Sequence, residues 1–161
     1  MIKIDTVEDL LDYRIKRLES QAEMMQKMTK KPSDGSDALF ENYSTLLTVS
    51  ALIGFNNDVY SDDFLGRPMG ESVQRQFFQK DQRGMMDLLA ICKARDVNIL
   101  KSCQKYDIFS AYAAAGFEIL CEKLEADKRD WSDSKTVIEC SLILTDMYLS
   151  DQESITVDEI I

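Results

Sequence analysis

The stretch Tyr106–Asp127, YDIFSAYAAAGFEILCEKLEAD, decides the fold because it predicts the longest amphipathic helix of the chain. Its apolar residues recur three and four positions apart and so share one helix face; they are Ile108, Tyr112, Ala115, Ile119, Leu120 and Leu124. Three consecutive alanines and Gly116 leave little side chain in the middle of this helix. Glycine costs about 1 kcal/mol in a helix interior, so its presence favours close approach of another backbone. We therefore expect a second helix to cross tightly there.

The sequence before this helix predicts two more. Segment 37–53 carries hardly a charge after Glu41, which is typical of a helix buried on most of its surface, and Gly54 is expected to end it as a left-handed cap. Segment 83–96 predicts a helix whose inward side chains are Met85, Leu88, Leu89 and Cys92. Between them, residues 71–79, ESVQRQFFQ, alternate as a strand does, but a helical turn fits equally well.

The sequence after it predicts a last helix within residues 130–149, capped by Ser132 or Ser134. The side chains expected to face inward are Val137, Ile138, Leu142 or Ile143, and Met147. Together these segments predict an all-α protein, a helical bundle of five or six helices with room for a minor short strand pair.

The N-terminal region, residues 1–31, predicts an amphipathic helix that begins at a capping box of Thr6 and Asp9. One apolar seam runs along it at helical spacing: Leu11, Ile15, Leu18, Ala22 and Met25. Residues 30–37, KKPSDGSD, then form a connector, because proline and glycine favour turns. Two interpretations of the seam stay open. It packs on its own domain, or it is a protein interface that pairs with a partner or a second copy.

Length and composition indicate one globular domain, residues 1–161. The chain has 161 residues, 45% of them hydrophobic and 30% charged, which suffices for a single core. No run of about 18 apolar residues is present, and the N-terminus does not resemble a signal peptide. We therefore expect a cytoplasmic protein without a membrane partner.

The absence of histidine removes the commonest general base, and with it Ser-His and Cys-His nucleophilic catalysis. The four cysteines lack the close spacing of a zinc site and are expected to be small buried hydrophobes; they are Cys92, Cys103, Cys121 and Cys140. The sequence therefore predicts a non-enzymatic protein with no cofactor. A carboxylate-dependent metal hydrolase is the alternative within the enzyme class.

The net charge of −10 opposes binding to nucleic acid, whose affinity for proteins comes largely from lysine and arginine. One local exception is residues 75–83, where Arg75, Lys80 and Arg83 flank two phenylalanines that are able to stack on bases. An acidic surface that mimics DNA is a further alternative. The acidic tail 150–161, SDQESITVDEII, is either a solvated end or a peptide that docks on a partner.

The loop 55–68, FNNDVYSDDFLGRP, gathers oxygen ligands densely enough to require a test against the calcium loop. Starting at Asn56 places Tyr60 fifth and Arg67 where the bidentate glutamate belongs, and starting at Asp58 fails likewise. A magnesium site through Asp58, Asp62 and Asp63 is the remaining metal alternative. The favoured interpretation is a surface loop in which Phe64 and Leu65 tuck onto the core and the acids form a solvated or partner-facing rim.

Four segments carry a family resemblance: residues 51–55, ALIGF; 66–68, GRP; 85–100, MMDLLAICKARDVNIL; and 107–120, DIFSAYAAAGFEIL. In this order they resemble a small family found with bacterial DNA phosphorothioation (Dnd) loci, the phosphorothioation-associated accessory proteins. The resemblance covers roughly residues 39–125. It implies phage defence or restriction linked to DNA modification, and an accessory role with no catalytic residues to transfer.

The residues and the resemblance together predict a non-enzymatic accessory protein of a bacterial DNA-modification or antiviral defence system. Its expected partner is a protein of a defence complex, with homodimerisation as one way to cover the N-terminal seam. Direct contact with nucleic acid is the less favoured alternative.

Overall fold

The computed structural model describes residues 1–153, with side chains through residue 150. Six α-helices lie within these residues: α1 (Val7–Asp12), α2 (Glu19–Thr29), α3 (Tyr43–Asn56), α4 (Lys80–Ala94), α5 (Gln104–Leu124) and α6 (Ser134–Glu153). Two short strands, β1 (Arg14–Ile15) and β2 (Val73–Gln74), pair antiparallel, with Ile15 opposite Val73. The predicted all-α architecture with a minor strand pair is confirmed.

The crossing of α3 and α5 is the centre of the fold. A Cβ added to Gly116 would overlap the carbonyl oxygen of Ser50, and one added to Gly54 would overlap that of Tyr112. The two backbones are therefore in direct contact, as the small residues of α5 predict. The expectation that Gly54 caps α3 was wrong, because α3 continues to Asn56 and the left-handed residue is Asp58, with φ 53°.

The core forms around α5, which is buried on most sides along its first three turns. α3 packs on it through Leu46 and Leu47, as expected of a helix with almost no charge, and Phe78 meets Phe109 edge to face. α3 begins later than predicted, at Tyr43, because Asn42 Oδ1 caps it by accepting from the Thr45 N–H at 2.9 Å. These contacts fix which side of α5 remains outside.

The predicted N-terminal helix is corrected to two helices separated by a strand. Thr6 Oγ1 does cap α1 by accepting from the Asp9 N–H at 3.1 Å, but α1 ends at Asp12 and α2 begins at Glu19. Pairing of β1 with β2 outweighs the helical periodicity, since tertiary contacts exceed intrinsic propensity.

The residues of the predicted seam consequently lie in different environments. Ile15, Leu18 and Met25 are at most 1% exposed and belong to the core of their own chain. Ala22 is half-buried on α2, whereas Leu11 is exposed on α1. The seam is thus not one accessible stripe, and an interface built on all five side chains does not fit this fold.

Two predicted helix faces were correct only in part. On α4 the buried residues are Met86, Leu89 and Ala90, whereas Met85, Leu88 and Cys92 are exposed. On α6 the buried residues are Thr136 and Cys140, whereas Ile138 and Leu142 are each 61% exposed. Of the predicted alternatives Leu142 and Ile143, it is Ile143 that packs against the core. Each helix carries apolar residues on two faces, so periodicity alone does not identify the one that packs.

The connector between α2 and α3 packs onto the protein along residues 30–42. Pro32 and Phe40 are buried, and the Ser33 N–H donates to the Ser132 carbonyl oxygen at 2.8 Å. Within residues 1–153, no helix has the length and apolar character needed to cross a bilayer. The last eleven residues of the predicted acidic tail, 151–161, lie outside the side chains that the structure describes.

Candidate functional site

Two adjoining cavities lie along the outer side of the C-terminal half of α5. The first, about 700 Å³, lies between α2, α5 and the segment after α5, and the second, about 550 Å³, lies between α5 and the loop 59–67. Glu118 and Glu122 line both cavities, so the two cavities meet along this part of α5 and are here together named the acidic groove. Six carboxylates line it: Asp62, Asp63, Glu118, Glu122, Glu125 and Asp127.

The core determines where these acids point. Glu118 and Glu122 are four residues apart and so share one stripe of α5, and Glu125 follows the helix as its left-handed cap residue, with φ 50°. Since Leu120 and Leu124 are buried, this stripe faces outward. The opposite wall of the second cavity comes from the loop 59–67, which Phe64 anchors in the protein.

The charge of the acidic groove is only partly compensated. Its two cationic side chains are Arg67, whose Nη2 lies 3.8 Å from Glu118 Oε1, and Lys128. Like charges four residues apart, such as Glu118 and Glu122, cost a helix roughly 0.2–0.5 kcal/mol. The negative end of the helix dipole adds to this cost at Glu122 and Glu125. The acids therefore work against the stability of α5.

An unsatisfied acceptor accompanies the acids in the wall of the larger cavity. The Gln21 side chain is 6% exposed and donates from Nε2 to the Ala114 carbonyl oxygen at 2.9 Å. Its Oε1 atom accepts no hydrogen bond from any residue that the structure describes. An unpaired buried acceptor costs about 1–3 kcal/mol. The Oε1 atom has less than 1 Å² of accessible surface, so it lies behind the cavity wall and not in the opening.

Two titratable side chains in the acidic groove, Cys121 and Tyr60, have a raised pKa. Burial, with help from Asp127 and Glu118, raises the pKa of the half-buried Cys121 thiol to about 12. Burial, with help from Tyr112 and Asp62, raises the pKa of Tyr60 to about 12. Cys121 is therefore a neutral thiol and not a thiolate nucleophile, and Tyr60 keeps its proton.

The opposite end of α5 carries a cluster of paired polar groups, here named the N-terminal clamp: Tyr13, Lys16, Tyr106 and Asp107. The Tyr13 hydroxyl donates to Asp107 Oδ1 at 2.8 Å, and Lys16 Nζ donates to the same hydroxyl at 2.7 Å. The Tyr13 and Tyr106 rings stack with centroids 5.6 Å apart. The clamp fastens α1 and β1 to α5.

The loop 55–68, tested above for metal binding, contributes two carboxylates to the acidic groove. Asp62 and Asp63 line the second cavity, while Asp58 forms the left-handed turn after α3. Nowhere in the described part of the chain do three or more acidic or cysteine side chains converge to hold a metal ion. Phe64 is buried as expected, but Leu65 is exposed, so that part of the prediction was wrong.

The structure does not gather the residues proposed for nucleic-acid contact into one free cationic surface. Arg75 Nε donates to the Tyr106 hydroxyl at 3.0 Å, and Arg83 Nη1 donates to the Phe78 carbonyl oxygen at 2.6 Å. Lys80 is exposed at the start of α4. Of the two phenylalanines, Phe78 is buried and Phe77 is 62% exposed. Nucleic-acid contact here stays a prediction.

The cysteines are less uniformly buried than expected. Cys140 is buried, Cys103 and Cys121 are half-buried, and Cys92 is exposed, all as free thiols. Cys92 is exposed because α4 turns its Met86 and Leu89 face to the core. The prediction of a buried hydrophobe is therefore wrong for Cys92.

Sequence reasoning missed two charged surfaces. Glu118, Glu122 and Glu125 have visible helical spacing, but nothing in the sequence joins them to Asp62 or Gln21. The second surface is a cavity of about 520 Å³ whose cationic lining residues are Lys27, Lys30, Lys31 and Arg129. Two of these cations are paired, Lys27 with Glu23 and Arg129 with Glu139. Lys30 and Lys31 are adjacent in the sequence and so indicated a local positive charge. Nothing in the sequence indicated that Arg129 would lie beside them.

A family model described as DNA sulphur modification system-associated protein 4 matches residues 14–155. The match spans most of the chain and includes every residue of the acidic groove. It confirms the resemblance over residues 39–125 and extends it in both directions. No curated protein and no solved structure matches the chain.

Proposed function

The chain belongs to the family of DNA sulphur modification system-associated protein 4, and from this membership we propose that it is a non-enzymatic accessory subunit of such a system. It acts in the bacterial cytoplasm by binding another protein of the system. The family description supports the association with DNA sulphur modification, and the acidic groove supports the mode of action.

The acidic groove is the observation that carries this proposal. Two of its carboxylates, Glu118 and Glu122, stand on a helix that packs in the core, and they reduce the stability of that helix. Charges that folding does not require are explained by a partner of opposite charge, since complementary charge guides association and selects the partner. The neutral Cys121 thiol supports binding over catalysis at this site.

A second candidate function is DNA mimicry, in which the acidic groove occupies the DNA-binding surface of the partner. The acids at the C-terminal end of α5 favour it, because Glu118, Glu122 and the cap residue Glu125 all line the larger cavity with negative charge. DNA would then compete with the protein for that partner. Competition that weakens steeply with added salt would be the sign of this mechanism.

The test is reconstitution with the purified proteins encoded beside this gene in its DNA sulphur modification locus. We expect one of them to form a complex of fixed stoichiometry with this chain in light scattering after size-exclusion chromatography. Deletion of the gene should change the sulphur content of the DNA or the restriction that depends on it. Separate elution of all components, together with no effect of deletion, would overturn the proposal.

Catalysis is tested by complementation of the deleted gene. A Cys121→Ser variant should restore the phenotype fully, because the proposed function does not use the thiol. Loss of function in this variant, with its thermal stability unchanged, would contradict a non-enzymatic role.

A further inference from the structure

We propose that the acidic groove binds an extended protein segment that carries arginine or lysine at alternate positions. This inference rests on the proposed function, because it names the chemistry of the partner at the same site. One cationic side chain enters the larger cavity beside Gln21, and another lies over the second cavity.

The chemistry of the lining selects a cation that donates several hydrogen bonds. The six carboxylates only accept hydrogen bonds when ionised, and the free Gln21 Oε1 is also an acceptor. A guanidinium carries five N–H donors and pairs with carboxylates in a fixed fork, whereas an ammonium carries three. A polyanion such as DNA would meet repulsion along the whole groove. An arginine-bearing segment fits best.

The spacing of the acids suits an extended segment. Glu118 and Glu122 are four residues apart on α5, which corresponds to about 6 Å along the helix axis. Alternate side chains on one face of an extended chain are about 6.6 Å apart. Arginines at alternate positions would therefore each meet a carboxylate, while consecutive arginines would point to opposite sides.

The larger cavity also provides an apolar surface for the arginine stem. Met24 of α2 and Phe117 of α5 line it beside Gln21, and arginine buries its methylene groups on such surfaces while its head stays polar. A guanidinium seated there would donate to the neighbouring carboxylates, and also to Gln21 Oε1 once the Gln21 side chain turns towards the cavity. Gln21 thus distinguishes a specific site from general attraction to an acidic protein.

The experiment titrates a blocked peptide, Arg-Ser-Arg-Ser-Arg-Ser-Arg, into the full chain and follows binding by calorimetry. The comparison peptide has the same composition but four consecutive arginines. We expect one-to-one binding that is at least tenfold tighter for the alternating peptide. The double variant E118Q/E122Q should bind it at least tenfold more weakly than the wild type.

Two further variants separate a site from net charge. The double variant E8Q/D12N removes two exposed acids with the same four-residue spacing on α1, and it should bind within twofold of the wild type. Gln21→Met leaves the net charge unchanged and should weaken binding several-fold, with thermal unfolding as the check on its fold. Equal weakening in E8Q/D12N and E118Q/E122Q would overturn the inference, as would the absence of binding or displacement by equimolar spermidine.

The outcomes also separate this inference from the proposed function. If the reconstituted complex forms equally well with E118Q/E122Q, the protein is an accessory subunit but the acidic groove is not its binding site. If the alternating peptide binds as expected and no component of the system forms a complex, the chemistry of the groove stands and the proposed function fails.

Discussion

At the N-terminal end of α5, Asp107 accepts a hydrogen bond from Tyr13 and lies 3.4 Å from Lys16. At the C-terminal end, Glu122 and Glu125 form no ion pair with any residue in the described part of the chain. One helix thus uses its charges in two ways. In the N-terminal clamp they hold a neighbouring segment in place, whereas in the acidic groove they face outward and oppose the helix that carries them.

This difference indicates how function and stability are divided along α5. Changes in the N-terminal clamp should lower stability, because each polar group there has a partner that would be left unpaired. Changes in the acidic groove should leave stability unchanged or raise it, and should reduce binding. The tight crossing with α3 lies between the two ends of α5. Both the stability of the N-terminal clamp and binding in the acidic groove should depend on it.

The largest effect is expected from Gly116→Ala, which places a methyl group against the Ser50 carbonyl oxygen. Because backbone and not a flexible side chain occupies that space, α3 and α5 must separate, and we expect a loss of roughly 3 kcal/mol or more in the free energy of unfolding. Urea denaturation measures it. The matched control is Gly84→Ala on α4, where no atom lies within 4 Å of the added carbon apart from the neighbouring residues and the backbone of α4 itself.

The control variant should gain about 0.5–1 kcal/mol, the usual difference between glycine and alanine in a helix. Equal effects of the two substitutions would show that the crossing is not tight. In that case the two ends of α5 would not be held on one rigid element.

The next largest effect is expected from Asp107→Asn in the N-terminal clamp. The change leaves Lys16 and the Tyr13 hydroxyl without their carboxylate, so we expect a loss of about 1–3 kcal/mol in the free energy of unfolding. Binding of the alternating peptide should be unchanged. Weakened peptide binding by a folded Asp107→Asn protein would contradict the separation of the two ends.

The pH dependence of stability should come partly from the acidic groove. The pKa of Cys121 is raised from 9.0 to about 12, so the folded state holds this proton more tightly than the unfolded state. The contribution of Cys121 to the free energy of unfolding is therefore fully present below pH 9 and is lost as the pH rises towards 12. Cys121→Ser lacks the titrating thiol, and its melting temperature should fall less steeply over this range. If the melting temperatures of the wild type and of Cys121→Ser fell in parallel as the pH rises, the raised pKa of Cys121 would be contradicted.

The sequence was sufficient to predict features that depend on neighbouring residues. The alanines and Gly116 predicted the tight crossing, and Thr6 predicted the cap of α1, because each depends on local chemistry. Features that depend on distant pairing were missed. Ile15 lies in a strand and not in the predicted helix, because it pairs with Val73, which is far away in the sequence.

For the same reason, only one wall of the acidic groove could be predicted from the sequence. The glutamates of α5 follow a helical spacing that the sequence displays, but the second wall comes from a loop that precedes α4. Gln21 had no distinguishing feature, since a free acceptor is recognised only when its neighbours are known. The faces of α4 and α6 were predicted only in part, with Leu89 and Ile143 correct, because both helices offer a second apolar stripe, as Leu88 and Leu142 show.

The smallest effect, and the one that separates the two ends most clearly, is expected from Glu122→Lys. The substitution replaces a repulsion with Glu118 by an attraction in the favourable order, with glutamate N-terminal to lysine, and places a cation near the negative end of the helix dipole. We expect a gain of about 0.5–1 kcal/mol in urea denaturation, together with loss of peptide binding. A variant that is both more stable and unable to bind would show that Glu122 is kept for recognition at the expense of stability. A loss of stability would instead mean that the acidic groove, like the N-terminal clamp, serves the fold.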